Sequence, residues 1–163
     1  MPTCRYSLVS HFLTSHFTLP APPNPSHLLH LLKDMPQSID GGGLGSTLGI
    51  EREVLEKERV VLTMPVTARV HQPFGVLHGG ASAALAESAA SIGANLNCPD
   101  GYVALGQEIN ANHLRPMTEG ILRAVAVPVH IGRRTQVWTI ELRDEQQRLV
   151  CISRCTLAVI PAP

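Results

Sequence analysis

Apolar and polar residues alternate along much of this chain. Val60, Leu62, Met64 and Val66 interleave with Val61, Thr63 and Pro65, the two-residue period of a strand whose sheet is covered on one face. Val137, Thr139 and Glu141 interleave with Trp138, Ile140 and Leu142 in the same way. Bounded by turn formers, the pattern predicts strands over 47–55 and 59–65, with Glu56–Lys57–Glu58 as the hairpin between them. Four more are predicted over 102–113, 120–130, 135–143 and 149–160. Asn97–Cys98–Pro99–Asp100–Gly101, Pro116 with Glu119–Gly120, Gly132, and the run Asp144–Glu145–Gln146–Gln147 supply the breaks. Between the second and third strands the alternation stops. Residues 81–96 are small and apolar on every side, which predicts a helix enclosed by other structure. A long helix followed by a strand meander in an otherwise antiparallel β chain is an α+β arrangement, the helix covering a curved sheet.

The beginning of the chain reads differently. Residues 1–25 contain Pro2, Pro20, Pro22, Pro23 and Pro25, and no acidic residue precedes Asp34. Ser10, His11, Ser15 and His16 interrupt its apolar stretch and only Arg5 is basic, which argues against a cleaved secretory signal. A disordered tail, or an over-extended start, is the expectation for 1–25, with a single domain over 26–163. Ser26 can cap a short helix through Leu28, Leu29, Leu31 and Leu32 that ends before Pro36; a start at Met35 would delete it. Gly41–Gly42–Gly43 and Gly45 then predict a flexible turn.

Composition narrows the classes. The 163 residues suffice for one domain and one core, and 44% apolar content with mean hydropathy +0.10 fits a compact unit. Thirteen Lys and Arg balance thirteen Asp and Glu, which argues against nucleic-acid or anionic-membrane binding through bulk charge. No run approaches the roughly 18 apolar residues of a membrane span. Cys4, Cys98, Cys151 and Cys155 form no Cys-x-x-Cys pair and no zinc-type spacing with histidine, so no metal site is expected, and the chain is read as needing no cofactor. Cys151 and Cys155 would share one strand face as small buried thiols, and a reducing cytoplasm fits best. No internal repeat, P-loop or dinucleotide fingerprint is present.

Candidate chemistry gathers around the helix. A polar loop, His71–Gln72–Pro73–Phe74–Gly75–Val76–Leu77–His78, leads through Gly79–Gly80 into it. Its start offers unpaired N–H groups and the positive end of a dipole. Glu87 lies two turns in, and Ser91 is one turn further on the same face. A helix-start polariser, a carboxylate and a hydroxyl can in this way assemble around one carbonyl. A core helix whose Glu87 is merely paired accounts for the same residues, and on these residues alone both readings stand.

Gln72–Pro73–Phe74–Gly75–x–Leu77–His78–Gly79–Gly80–Ala81–Ser82, followed by Leu85–Ala86–Glu87–Ser88, resembles hotdog-fold acyl-CoA thioesterases. Within them it is similar to the 4-hydroxybenzoyl-CoA and phenylacetate-pathway type, most of all to 1,4-dihydroxy-2-naphthoyl-CoA hydrolases. The likeness runs on through Glu108–Ile109–Asn110–Ala111–Asn112–His113 and Gly132–Arg133–Arg134–Thr135–Gln136–Val137–Trp138, covering about residues 28–160. It implies a helix wrapped by an antiparallel sheet, dimers joined edge to edge and usually paired into tetramers, and sites built from two chains. It also implies Glu87 as nucleophile or general base, with the Gly79 N–H polarising the thioester carbonyl. Gln72 and His78 would orient the carbonyl or water, and Ser91 would support the water or acyl group. His78 could equally only brace the loop. Gly106, His113, Arg115, His130, Arg133 and Arg134 match positions that approach substrate or CoA, arginine suiting phosphate through paired donors. Phe74, Leu77, Ile92, Leu96 and Leu105 are available to line an aromatic or a medium-chain acyl pocket.

Three rival readings are weaker on the sequence. Hotdog dehydratases carry a Pro-rich form of a His-centred loop that this chain lacks. A non-catalytic acyl-CoA sensor would need a lost carboxylate or an attached DNA-binding domain. A purely structural oligomer leaves Glu87 and Gln72 unexplained.

Overall fold

The computed structural model describes residues 43–162; the predicted tail over 1–25 and the helix predicted after Ser26 lie outside the described residues. Gly43 and Gly49, at φ 86° and 69°, bracket a single helical turn, α1 (Leu44–Leu48). This corrects two expectations. Gly45 sits inside a helix, and the first strand starts only after Gly49 has turned the chain in a left-handed conformation that glycine adopts without strain. Thr47 Oγ1 donates back to the Gly43 carbonyl at 2.9 Å and holds the turn closed.

Strands β1 (Glu51–Leu55) and β2 (Val60–Val66) form the predicted hairpin, closed by reciprocal backbone bonds between Glu56 and Arg59. β2 is covered on both faces rather than one: Val61 and Thr63 are buried along with Val60, Leu62 and Met64. A short 3-10 turn, Ala68–Val70, then leads through the polar loop into α2 (Gly79–Leu96). β3 (Tyr102–His113), β4 (Gly120–Ile131), β5 (Thr135–Arg143) and β6 (Leu149–Pro161) complete the chain within a residue of the alternation pattern.

All six strands form one antiparallel sheet in the order β1-β2-β4-β5-β6-β3. Only β4, β5 and β6 make the predicted meander. β3 leaves its sequence neighbour and pairs with β6 at the far edge, because α2 carries the chain across the concave face of the sheet before β3 begins. Asn95 fixes the landing point. Its Nδ2 donates to the Ala104 carbonyl and its Oδ1 accepts from the Ala104 N–H, each at 3.0 Å. Asn97 Nδ2 ties the same helix end to the Lys57 carbonyl in the β1–β2 turn at 2.8 Å. Gln136 Nε2 donates to the Ala94 carbonyl at 3.0 Å, and its Oε1 takes the indole N–H of Trp138. Asn95, Asn97 and Gln136 thus pin the helix end to the sheet and to the β1–β2 turn.

The core lies between the two layers: Leu85, Ala86, Ala89, Ala90 and Ala94 of α2 against Leu62, Met64, Leu122, Ala124, Trp138, Ile140 and Leu157 of the sheet. Gly93 is where the contact is tightest. A Cβ there would stand 2.5 Å from Cη2 of Trp138 and 2.6 Å from its Cζ3. Alanine gains about 1 kcal/mol over glycine in helix propensity, but crowding a rigid buried indole costs about 1–3 kcal/mol. Gly93→Ala should therefore lower stability, visible as an earlier midpoint in urea denaturation; a later midpoint would mean that the sheet gives way freely. No described helix is long and apolar enough to cross a membrane.

Candidate active site

The helix starts at Gly79, two residues earlier than predicted, because two glycines are well tolerated where the first N–H groups have no intrahelical acceptor. His78 is its cap: Nδ1 accepts the Gly80 N–H at 2.9 Å, which leaves Nε2 to carry the proton of the neutral ring. The bracing role for His78 is thus visible in its contacts. The preceding loop folds tightly on itself. Gly75 N–H donates to the Gln72 carbonyl, Gln72 N–H to the Val76 carbonyl, and Phe74 N–H to Gln72 Oε1 at 2.8 Å. With its side-chain oxygen taken, the Gln72 amide has its NH2 group left to offer.

A cavity of ≈ 360 Å³ opens at this end of the helix, with Gln72, Leu77, Gly79, Ser82, His113 and Arg115 among its walls. His113 presses on the helix start: a Cβ on Gly79 would lie 2.7 Å from its Nε2. Ser82 was not singled out in the sequence. It is only 1% exposed, and its hydroxyl has no hydrogen-bond partner. Its signal was a polar residue on the buried face of an apolar helix.

Glu87 does not reach this cavity. Eight residues into the helix, it lies about 12 Å along the axis from Gly79. It is also exposed, against the expectation of a helix enclosed on every side. The sheet curves around one face of α2 only and leaves the side bearing Glu87, Ser88 and Ser91 uncovered or half-covered. The Glu87 carboxylate rests over Gly106 of β3, so closely that a Cβ at Gly106 would collide with Oε1. Its charge is felt by Cys155 beneath. Burial first, then Glu87 and Glu108, push that thiol up to about 11, so Cys155 is a neutral packing group at pH 7 and no nucleophile. Ser91 is half-buried one turn beyond Glu87, its carbonyl accepting from Asn95.

The third group stands at the opposite end of β3. Arg133 and Arg134 are exposed in the β4–β5 turn and border an open hollow of ≈ 600 Å³ with Tyr102 and Ile160. His130 folds back over Gly132, where any side chain would meet its ring. The single chain thus brings Gln72, Gly79, His113 and Arg115 together, sets Glu87 over Gly106, and keeps His130, Arg133 and Arg134 apart from both. Of the candidate acyl-lining residues, Leu77, Ile92 and Leu96 pack against the core, whereas Phe74 and Leu105 point out at 90% and 54% exposure. No cluster of three or more His, Cys, Asp or Glu suited to a metal occurs among the described residues.

The model of the Thioesterase superfamily matches residues 74–151, from the loop before α2 through the start of β6. A 1,4-dihydroxy-2-naphthoyl-CoA hydrolase from Listeria monocytogenes is 52% identical over 117 residues, 72% of this chain and 95% of its own length. The chain belongs to the thioesterase superfamily. A proofreading thioesterase, EntH, from Cronobacter turicensis is 44% identical over 131 residues, covering 80% of this chain and 96% of its own. The crystal structure of a thioesterase from Haemophilus influenzae superposes with a TM-score of 0.73 at 45% identity, over 77% of this chain and 87% of that one. The thioesterase described here therefore has the hotdog fold and the hydrolytic chemistry of its superfamily.

Proposed function

We propose that this thioesterase hydrolyses an aromatic acyl-CoA, with Glu87 of one chain acting on a carbonyl held by Gln72 and Gly79 of a second. The observation that carries the reading is the gap within one chain. Groups separated by about 12 Å along a helix cannot touch the same carbonyl, yet each is fitted to one half of the reaction. The Gly79 N–H, backed by the helix dipole, and the free amide donors of Gln72 suit an oxygen that gains negative charge. The exposed carboxylate of Glu87 suits attack on the carbonyl carbon, directly or through a water whose proton it takes. In the direct route the C–S bond breaks as a mixed anhydride forms, CoA leaves as the thiolate, and water then cleaves the anhydride to release the acid and restore Glu87. In the second, collapse of the tetrahedral intermediate breaks the C–S bond, and the proton held by Glu87 passes to the departing thiolate.

A second copy has an obvious place to join. β3 is an edge strand of twelve residues with no proline, and Leu105–Glu108 are exposed along it. Such an edge pairs readily with another strand. Joining two β3 edges antiparallel carries the uncovered face of one α2 toward the helix start of the other. Exposed Val127, Val129 and Ile131 of β4 offer a further apolar surface through which dimers can join in pairs, giving a tetramer. Free, unpaired thiols at Cys98, Cys151 and Cys155 suit a reducing cytoplasm.

The aromatic preference rests on similarity to the naphthoyl-CoA hydrolase, and it is open to direct test. Thiol release should be followed over a panel of aryl- and alkyl-CoA thioesters, with kcat/KM highest for an aryl member. Tight binding without release would instead mark an acyl-CoA-binding protein.

The exposed arginines Arg133 and Arg134 suit the CoA phosphates. Replacing both by alanine should raise KM about tenfold and leave kcat within about twofold, because contacts far from the reacting atoms bind ground and transition states alike. The effect should shrink as salt rises. A short thioester lacking the nucleotide is the control, and equal losses on both substrates would assign these arginines to the fold or an interface.

A further inference from the structure

We infer that Gly106, together with the bulge at Gln107, is a seat for the Glu87 carboxylate, and that Gly106 acts as a positioning residue for it. The inference rests on the reading of Glu87 as the reacting group. Glycine in mid-strand weakens a sheet, so it needs a reason. Gly106 does not have the positive φ seen at Gly43, Gly49, Gly75, Gly101 and Gly120, so backbone conformation does not call for glycine. Space does. The three nearest atoms to a Cβ placed there are Oε1, Cδ and Cγ of one side chain, Glu87, with Cδ at 3.4 Å and Cγ at 3.8 Å. The whole end of that side chain occupies the room an ordinary residue would fill.

The strand around Gly106 is built for two tasks at once. Ala104 is buried beneath α2, and Gly106 shares its face. Further along, Ile109 and Ala111 pack against the core and His113 meets the helix start at Gly79. Even-numbered residues face the helix first, odd-numbered ones afterwards. A regular strand cannot do this, since its side chains change face at every residue. The change occurs where the β3–β6 register slips, with Gly106 opposite Leu157 and Glu108 opposite Thr156, so that Gln107 is the extra residue. One bulge therefore lets one strand carry both the seat of Glu87 and the His113 that lines the helix-start cavity.

Gly106→Ala separates this role from a structural one. The group displaced is the far end of an exposed, flexible side chain, so the fold should tolerate the added methyl and the melting temperature should not fall. The carboxylate, however, must move by an ångström or more, which suffices to lower kcat about 10- to 100-fold with KM nearly unchanged. Shortening the side chain withdraws it from the added methyl, so in the background of Glu87→Asp the same glycine substitution should cost less than about threefold. A crystal structure of the Gly106→Ala protein should show the carboxylate displaced with β3 in place. An undisplaced carboxylate, wild-type kcat, or a loss confined to KM would overturn the inference. If Glu87→Gln itself retained full activity, the catalytic reading would fall while the crystallographic displacement still stood as the test of the seat.

Discussion

Replacing Glu87 by Gln should remove nearly all thioester turnover and leave the fold unchanged. The side chain is exposed and rests over a glycine, so an amide of equal size disturbs no core contact. The amide can neither attack a carbonyl nor take a proton from water. Loss of a positioned base costs about 10²–10⁴-fold, and loss of a nucleophile at least as much. Cys155 cannot substitute for it, since that thiol stays protonated at neutral pH. Steady-state kcat measured beside circular dichroism and a melting curve decides the matter. A variant within about threefold of wild type would take Glu87 out of the chemistry.

Two inactive variants should restore one another when combined. Gln72→Ala removes donors from the carbonyl-holding half, at a cost of roughly 10²-fold, and Glu87→Gln removes the reacting half. In a two-fold symmetric dimer with shared sites, a mixed pair has one site carrying both substitutions and one carrying neither. Random mixing makes half of the dimers mixed, so co-expression should recover about a quarter of wild-type activity. Differently tagged chains, purified in tandem so that only mixed oligomers remain, should recover about half. Activity no higher than that of the two separate variants would mean that each chain holds a complete site of its own, against the separation along α2.

How much of this was legible before the fold differs from element to element. β3 to β6 were visible because alternation and turn residues are local, and their ends fall within a residue of the pattern. α1 was not visible, since glycine on both sides reads as a loop and only the positive φ values at Gly43 and Gly49 frame the helical turn. The place of β3 beside β6 was illegible because strand partners far apart in sequence leave no periodic trace. Glu87 was found through its oddity in an apolar helix, yet its exposure was missed: the uncovered side of α2 is built from the same small residues as its buried side. Gly106 was noticed only as a match to positions that approach substrate or CoA. Nothing in its neighbours shows that a carboxylate from another element rests on it. Gln107 could have been suspected from parity, since Ala104 and Ile109 are both apolar in a strand where odd separations change face.

The pairing of β3 with β6 also bears on how the protein is made. A ribosome delivers α2 and β3 well before the strand on which β3 must rest, since β4 and β5 emerge ahead of β6. Pairings that span so much chain close slowly, and an unpaired strand is exposed to wrong partners while it waits. Leu105 and the residues beside it would then be bare on both flanks of β3, not on one. Emergence of β6, rather than appearance of the helix, is thus the event that turns β3 from a sticky segment into an ordered rim, and under the proposed assembly a second copy would meet that rim only once β6 is in place.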